Sequence, residues 1–203
     1  IVVAKNLVAK QLNGKYEVES EENQLSNYTS ESKKIPYRIL QEFVGKDLVG
    51  IQYEQLLPYA LPAEAPETAF QVISGDFVTT EDGTGIVHIA PTFGADDAMV
   101  AKAAGVAPML VKDENDNLVP LVDLQGRFRP EMGEFAGKYV KNEYYEEGTE
   151  PERSVDVEIA IKLKEENRAF KVEKYEHSYP HCWRTDKPVL YYPLDSWFIK
   201  ISK

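Results

Sequence analysis

The chain has 203 residues, a formal net charge of −11 and a single cysteine, Cys182. This length allows one large domain or two small ones, and no run of about 18 apolar residues is present that could span a membrane. The acidic balance argues against a general nucleic-acid binder, although a local basic patch can still meet RNA. One cysteine excludes an internal disulfide and suits a reducing compartment, so we expect a cytoplasmic protein.

The N-terminal part of the chain predicts short elements joined by polar turns. Residues 2–4 are typical of a strand, and Asn6 is a candidate N-cap for a short helix that ends at Gly14. Residues 15–34 are polar and rich in turn formers, which predicts an exposed hairpin or loop.

Residues 58–80 predict a loop followed by a bent strand. The segment 58–68 contains several prolines and little periodicity, and it is therefore expected to be an ordered loop. Residues 69–73 and 76–80 alternate around Gly75, which favours a bent strand or a hairpin.

The most informative stretch is 83–97, Gly-Thr-Gly-Ile-Val-His-Ile-Ala-Pro-Thr-Phe-Gly-Ala-Asp-Asp. It opens with a turn of small residues, 83–85, which leads into an apolar run over 86–90 that is typical of a strand. One histidine, His88, interrupts this run. A lone histidine in an apolar run is more often a half-buried structural side chain than a catalyst.

The second half of this stretch predicts a loop and a helix start. Pro91 ends the apolar run, and an alanine-rich helix is expected from Ala95 to Ala104, with Gly105 as its C′ residue. Asp97 lies in the first turn, where the helix dipole favours the ionised carboxylate. Backbone N–H groups, a hydroxyl, an imidazole and a carboxylate are thus expected near one spot, which predicts a small polar pocket.

Two further elements complete the prediction. Residues 109–111 and 118–122 flank an acidic and amide-rich turn, which favours a hairpin, and residues 170–203 are expected to be mostly extended. Strands and helices are mixed along the chain without the regular βαβ order. We therefore predict an α+β fold with a bent, barrel-like β-sheet and peripheral helices. Ser154 is expected to cap a helix whose buried face carries Val155, Ile159 and Leu163.

Residues 83–97 resemble the core motif of the editing domain inserted in class I aminoacyl-tRNA synthetases of the isoleucine, valine and leucine group. His88 and the Ala-Pro-x-Phe-Gly after it are most similar to the isoleucyl enzymes. Residues 177–184, followed by 188–199, are similar to the stretch in which the isoleucyl insertion returns to the catalytic core. Residues 45–59 give a third, weaker match. The three matches follow the order of the family, and the editing-domain fold is therefore expected.

The resemblance also implies a domain organisation. Residues 1–175 would form the editing domain without its N-terminal strand region, and 176–203 would be a connecting segment toward a catalytic core that the chain lacks. Ile1 stands in place of a methionine, and both ends are expected to be cuts from a longer polypeptide. The threonine-rich strand of the family's pocket has no match in this chain, so half of the pocket is expected to be missing.

The activity implied by the resemblance is the hydrolysis of valine misattached to tRNA(Ile), in an enzyme that joins isoleucine to this tRNA with ATP. The implied partners are the tRNA 3′ end and the rest of the synthetase in cis, without DNA or a membrane. No cofactor is expected in this chain, because ATP and Mg²⁺ belong to the catalytic core. The alternative is a non-catalytic segment that binds the tRNA acceptor end or has a structural role. A valyl or leucyl counterpart is disfavoured by His88 and by 177–184.

The resemblance assigns the expected site residues. Asp97 would hold the α-ammonium of the misattached amino acid, and His88 would orient water or contact the terminal adenosine. Without the resemblance, an aspartate at a helix start is most often a cap or a dipole partner, the role expected for Asp96. The expected substrate-binding residues are Gly83, Thr84, Gly85, Thr92, Phe93 and Gly94.

A cluster near the C-terminus raises the question of a metal. His177, His181 and Cys182 are metal-ligand types, but structural zinc needs four nitrogen or sulfur ligands, and Thr185 stands where many relatives carry a second cysteine. We therefore predict no metal site. The remaining aromatic residues of this region are expected to form a packing cluster, Tyr191, Tyr192, Trp197 and Phe198, with Trp183 and Arg184 in packing or at the surface.

Overall fold

The computed structural model describes residues 1–174, 176–194, 197, 199 and 201. These residues contain three α-helices, four short β-strands and several 3-10 turns, so the predicted α+β class is confirmed. The chain divides into two compact units. Unit 1 is Ile1–Ile51 with Val72–Ile89, and unit 2 is Gln52–Gln71 with Ala90–Lys203. Throughout the described part of the chain, helices are too short or too polar to cross a membrane.

Unit 1 is built from one short helix and one pair of strands. A 3-10 turn, Lys5–Leu7, leads directly into helix α1, Val8–Leu12, and both terminal leucines are buried. Strand β1, Tyr16–Val18, pairs in parallel with β2, Ile35–Tyr37. Asn6 lies inside the 3-10 turn and caps nothing, so its predicted capping role is wrong.

Three strands predicted from the sequence are wrong. Residues 2–4, 76–80 and the apolar run 86–90 have no strand structure, and 69–73 contributes only a single bridge, between Gln71 and Gln52. A strand exists only where a second segment satisfies its N–H and C=O groups. The apolar composition of these segments alone therefore did not produce paired β-strands.

Unit 2 contains a hairpin and a helix that local sequence signals predicted correctly. Strand β3, Leu110–Lys112, pairs antiparallel with β4, Leu118–Pro120, as expected. Helix α2, Ala95–Ala103, is followed by its C-cap residue Ala104 and then by Gly105, which adopts a positive φ of 71°. The N–H of Gly105 donates to the Lys102 carbonyl and the N–H of Val106 to the Ala101 carbonyl, which satisfies the last helical carbonyls.

The core of unit 2 lies where helix α3, Val155–Glu165, meets a broken 3-10 segment, Pro130–Phe135. Phe135, Met132 and Val155 are buried together. Ser154 occupies the predicted N-cap position, but its hydroxyl makes no capping hydrogen bond. Further apolar side chains pack against this core, namely Tyr59, Leu121, Phe128 and Ile159.

The predicted bent, barrel-like sheet is not found in the described residues. Their strands instead form two separate sheets of two strands each. Each strand is only three residues long. Strands of this length are at the short end of the usual range and bury little surface, so they depend on the packing of loops and helices around them.

Phe135→Ala tests the core of unit 2. Removing a buried phenylalanine side chain costs about 3–5 kcal/mol, because apolar burial is lost and a cavity remains. We expect this loss in the free energy of unfolding measured by urea denaturation. Leu124→Ala is the control, because Leu124 is 72% exposed in the same unit, and it should change stability by less than about 0.5 kcal/mol. Equal effects of the two substitutions would contradict the assigned core.

Candidate functional site

The loop before α2 is closed by hydrogen bonds to both backbone groups of Ala90, its N–H and its carbonyl. The Ala90 carbonyl accepts the N–H groups of Phe93 and Gly94, each at 3.1 Å. The Ala90 N–H donates to Oδ2 of Asp97 at 2.8 Å. The half-buried carboxylate of Asp97 therefore fixes the loop that precedes its own helix.

Gly94 is the N-cap residue of α2, and the site leaves no room for a side chain there. A Cβ at position 94 would lie 2.8 Å from Oδ2 of Asp97. No described residue accepts a hydrogen bond from the N–H groups of Ala95, Asp96 or Asp97. These groups are the free donors at a helix start, where the dipole favours negative charge.

Thr92 and Phe93 contact the body of unit 2. The Thr92 hydroxyl donates to the Met109 carbonyl at 3.2 Å. The Phe93 ring meets the ring of Tyr192 edge-on, with 6.0 Å between centroids, and the Tyr192 hydroxyl donates to the Val122 carbonyl. Both residues therefore have structural contacts in addition to the substrate-binding role expected of them.

The glycine turn of unit 1 packs tightly on the N-terminal segment. The Thr84 carbonyl accepts the Ala4 N–H at 2.8 Å, and the Gly83 carbonyl accepts Nε2 of Gln11 at 2.5 Å. Gly85 has a φ of 79°, and a Cβ there would lie 2.6 Å from Cβ of Ala4. The close backbone approach that these glycines permit is thus made by the chain itself.

His88 is exposed, so the expectation of a half-buried structural histidine is wrong. No described residue forms a hydrogen bond with its ring. Its neighbours Ile86 and Val87 are exposed as well. The ring is therefore accessible to solvent or to a ligand, which is compatible with either role that the resemblance implied.

The eight candidate residues form two groups. Gly83, Thr84, Gly85 and His88 lie together in unit 1, whereas Thr92, Phe93, Gly94 and Asp97 lie together in unit 2. The assembly of both groups into one pocket stays a prediction.

An open cleft of about 420 Å³ lies elsewhere in unit 2. Its lining includes Arg127, Phe128 and Arg129 and none of the eight candidate residues. These arginines stand outside any recognised motif, and no motif-based prediction includes them. Their spacing was the available signal, since residues i and i+2 of an extended segment share a face.

Sequence comparison identifies the family. The chain is 62% identical over 207 residues to the isoleucine–tRNA ligase of Cytophaga hutchinsonii, covering 97% of this chain and 18% of that protein. It is 51% identical to the ligase of Porphyromonas gingivalis, over 87% of this chain and 17% of the relative. The ligase of Thermoplasma acidophilum is 42% identical over 82% of this chain and 14% of its own length. No protein-family model matches.

The chain belongs to the isoleucine–tRNA ligase family. It spans less than a fifth of the length of the relatives named above. The resemblance of the motifs at 83–97 and 177–184 to isoleucyl enzymes is thereby confirmed at the level of the family.

Residues 180–189 form a tight turn around Cys182. The Cys182 N–H donates to the Lys187 carbonyl at 2.8 Å, and its carbonyl accepts the N–H of Asp186 at 2.8 Å. Hydrogen bonds from the Thr185 side chain, and then from backbone N–H groups of Arg184 and Thr185, lower the pKa of the thiol. Across the described residues, no group of three or more His, Cys, Asp or Glu side chains could hold a metal ion.

The predicted aromatic cluster near the C-terminus is only partly correct. Tyr192 packs on Phe93, but Tyr191 is 60% exposed and Trp197 is fully exposed, while Phe198 lies outside the described residues. Trp183 lies at the surface, where the guanidinium of Arg184 stacks 4.3 Å from the ring centroid.

Substitutions at Asp97 separate its role in the loop from the role of its charge. Asp97→Ala removes the acceptor of the Ala90 N–H. We expect that amide to exchange about tenfold or more faster, because a hydrogen bond to a charged group is worth about 1.5–3 kcal/mol. Hydrogen exchange followed by NMR measures this. Asp97→Asn keeps an acceptor and should show a smaller effect, and Asp96→Ala should show none. Unchanged exchange in Asp97→Ala would contradict the loop-closing role.

The environment of Cys182 predicts a shifted pH profile for its reactivity. The hydrogen bonds stabilise the thiolate, so thiolate forms at lower pH than in an ordinary cysteine, and alkylation by iodoacetamide should begin at lower pH. Thr185→Val removes one donor and should move the midpoint to higher pH, whereas Thr185→Ser keeps the donor and should retain the wild-type profile. Coinciding profiles for the valine variant and wild type would contradict this account.

Proposed function

We propose that this ligase segment carries the hydrolytic editing pocket of an isoleucine–tRNA ligase and has the editing-domain fold. It would remove valine misattached to tRNA(Ile), within a cytoplasmic enzyme that joins isoleucine to this tRNA with ATP. The observation that carries the proposal is the carboxylate of Asp97, which is half-buried beside the free N–H groups at the start of α2. The relationship to isoleucine–tRNA ligases supplies the substrate class.

The chemistry of the substrates explains why such a pocket is needed. Valine and isoleucine differ by one methylene, which gives a binding pocket only about 1–3 kcal/mol of discrimination. A second pocket that is too small for isoleucine can accept the valine ester and hydrolyse it. The reaction requires no cofactor from this chain, because ATP and Mg²⁺ serve the ligation in another part of the enzyme.

Asp97 would anchor the α-ammonium of the misattached valine. Its Oδ2 accepts the Ala90 N–H, and no described residue donates to its Oδ1. The free oxygen can accept a charge-assisted hydrogen bond, worth about 1.5–3 kcal/mol. Because Ala90 already holds the carboxylate in place, ammonium binding would fix the ester carbonyl for attack by water.

The developing oxyanion would be stabilised by N–H groups of the helix start. Phe93 and Gly94 donate to the Ala90 carbonyl and are occupied. Ala95, Asp96 and Asp97 carry the free N–H groups, and preorganised donors of this kind lower the barrier to acyl transfer. A free hydroxyl of the tRNA terminus would orient the water.

A non-catalytic role in binding the tRNA acceptor end, or in structure alone, is the second candidate. Two observations favour it for the isolated chain. Asp97 already has a structural partner in Ala90, and no described residue positions the His88 ring. The absence of a threonine-rich strand from the sequence points the same way.

The decisive variant is Asp97→Asn in a complete isoleucine–tRNA ligase that contains this segment. Asparagine retains an acceptor for the Ala90 N–H but lacks the charge that binds an ammonium. We expect deacylation of Val-tRNA(Ile) to fall about 10–150-fold, since this range corresponds to 1.5–3 kcal/mol, while isoleucine ligation stays within twofold. Asp96→Asn removes the same charge from an exposed neighbour and should retain deacylation. Normal deacylation by Asp97→Asn would exclude Asp97 as the anchor.

The 203-residue chain by itself distinguishes the two candidate functions. Selective, Asp97-dependent deacylation of Val-tRNA but not Ile-tRNA would show that residues 1–203 hold a working pocket. A folded chain without this activity, beside an active complete ligase, would assign the chain by itself the binding or structural role.

A further inference from the structure

The open cleft of unit 2 is lined by two arginines on either side of an aromatic residue. Arg127, Phe128 and Arg129 contribute to its wall, and Gly137 also lines it. A Cβ at Gly137 would meet no atom within 4 Å, so this wall is open. The volume, about 420 Å³, admits a group much larger than a water molecule.

Both guanidinium groups are held in place through their Nε atoms. Nε of Arg129 donates to the Pro120 carbonyl at 2.8 Å, and Nε of Arg127 donates to Oδ2 of Asp123 at 3.0 Å. No described residue accepts a hydrogen bond from the Nη groups of Arg129. Nη2 of Arg127 makes one long contact, 3.5 Å, to Oε1 of Gln125. The Nη atoms of both guanidinium groups are therefore available as hydrogen-bond donors.

The one carboxylate in the lining does not cancel this arrangement. Oδ1 of Asp123 accepts the backbone N–H groups of Gln125 and Arg127, and Oδ2 accepts the Nε of Arg127. The carboxylate of Asp123 is therefore already engaged by the turn at 123–127 and by the Arg127 side chain. Arg129 is half-buried and forms no ion pair within 4 Å among the described residues. After the hydrogen bonds from Asn117, its charge contributes to the lowered pKa of Asp113, which lies outside the lining. The lining itself has two arginines and one aspartate, so its net charge is positive.

We propose that this cleft binds a phosphodiester group of RNA through the Nη groups of Arg127 and Arg129. Arginine forks match the tetrahedral oxygens of phosphate with two parallel hydrogen bonds. The proposal rests on the proposed function for its RNA, which is the acceptor arm of tRNA. Because the whole chain carries a net charge of −11, such binding must come from a local site rather than from a general basic surface.

Binding of a labelled RNA minihelix ending in CCA, measured by fluorescence anisotropy with the 203-residue chain, tests the cleft. Arg129→Ala and Arg127→Ala should each weaken binding about tenfold, and each should reduce the slope of log K against log salt by about 0.7–0.9. Arg129→Lys keeps the charge but loses the fork, so it should retain the salt slope and lose only part of the affinity. Inorganic phosphate should displace the RNA at an ionic strength where chloride does not.

Arg153→Ala is the matched control, because Arg153 is an exposed arginine of the same unit without an ion pair among the described residues. It should bind within twofold of wild type. Equal weakening by Arg153→Ala and Arg129→Ala, or no binding of RNA by the wild type, would overturn the proposal. Equally tight, Arg129-dependent binding of a glutamate-rich peptide would also overturn it. Arg127→Ala leaves the backbone bonds of Asp123 intact, and thermal unfolding checks that each variant is folded.

The experiments distinguish a failure of the cleft proposal from a failure of the editing assignment. Unchanged RNA binding in the arginine variants, together with loss of deacylation in Asp97→Asn, would remove the cleft proposal and leave the proposed function in place. Arginine-dependent RNA binding with normal deacylation in Asp97→Asn would support the cleft proposal and exclude Asp97 as the anchor of the editing pocket.

Discussion

The burial of Phe135 against Met132 and Val155 is the contact on which unit 2 depends. Phe135 is only 2% exposed, and the ring of Tyr59 meets it edge-on at 5.9 Å. This contact joins segments that are far apart in the chain and gives α3 an apolar surface to cover. Phe128 packs on the same core and also lines the cleft, so the two arginines beside it are attached to the best-packed part of the unit.

The elements that sequence predicted correctly are those whose signals are local. An alanine-rich run followed by Gly105 gave the extent of α2, and the polar turn at 113–117 gave the hairpin of β3 and β4. The wrong predictions concern pairing between distant segments. The run 86–90 has a strand-like composition, but no described segment pairs with it. A parallel pair such as β1 with β2 leaves no adjacent turn signal in the sequence.

For the candidate site, the sequence predicts which residues take part but not the contacts that they make. The position of Asp97 in the first turn of α2 followed from its neighbours, whereas its bond to the Ala90 N–H depends on how the loop closes. The hydroxyl of Ser154 illustrates the same limit, because it occupies the predicted cap position without making the bond. The spacing of Arg127 and Arg129 indicates a shared face, whereas the cleft that both residues line depends on the fold.

The parallel pairing of β1 and β2 has a consequence for the order in which the protein opens. Residues 19–34 must close a loop before this three-residue ladder can form, and loop closure carries an entropic cost that local pairing avoids. Within residues 1–51 and 72–89, the buried apolar side chains are Leu7, Leu12 and Pro36, which offer little to offset that cost. Unit 1 is therefore the weaker cooperative unit, and its ladder should open at free energies below that of global unfolding, while α3 stays closed.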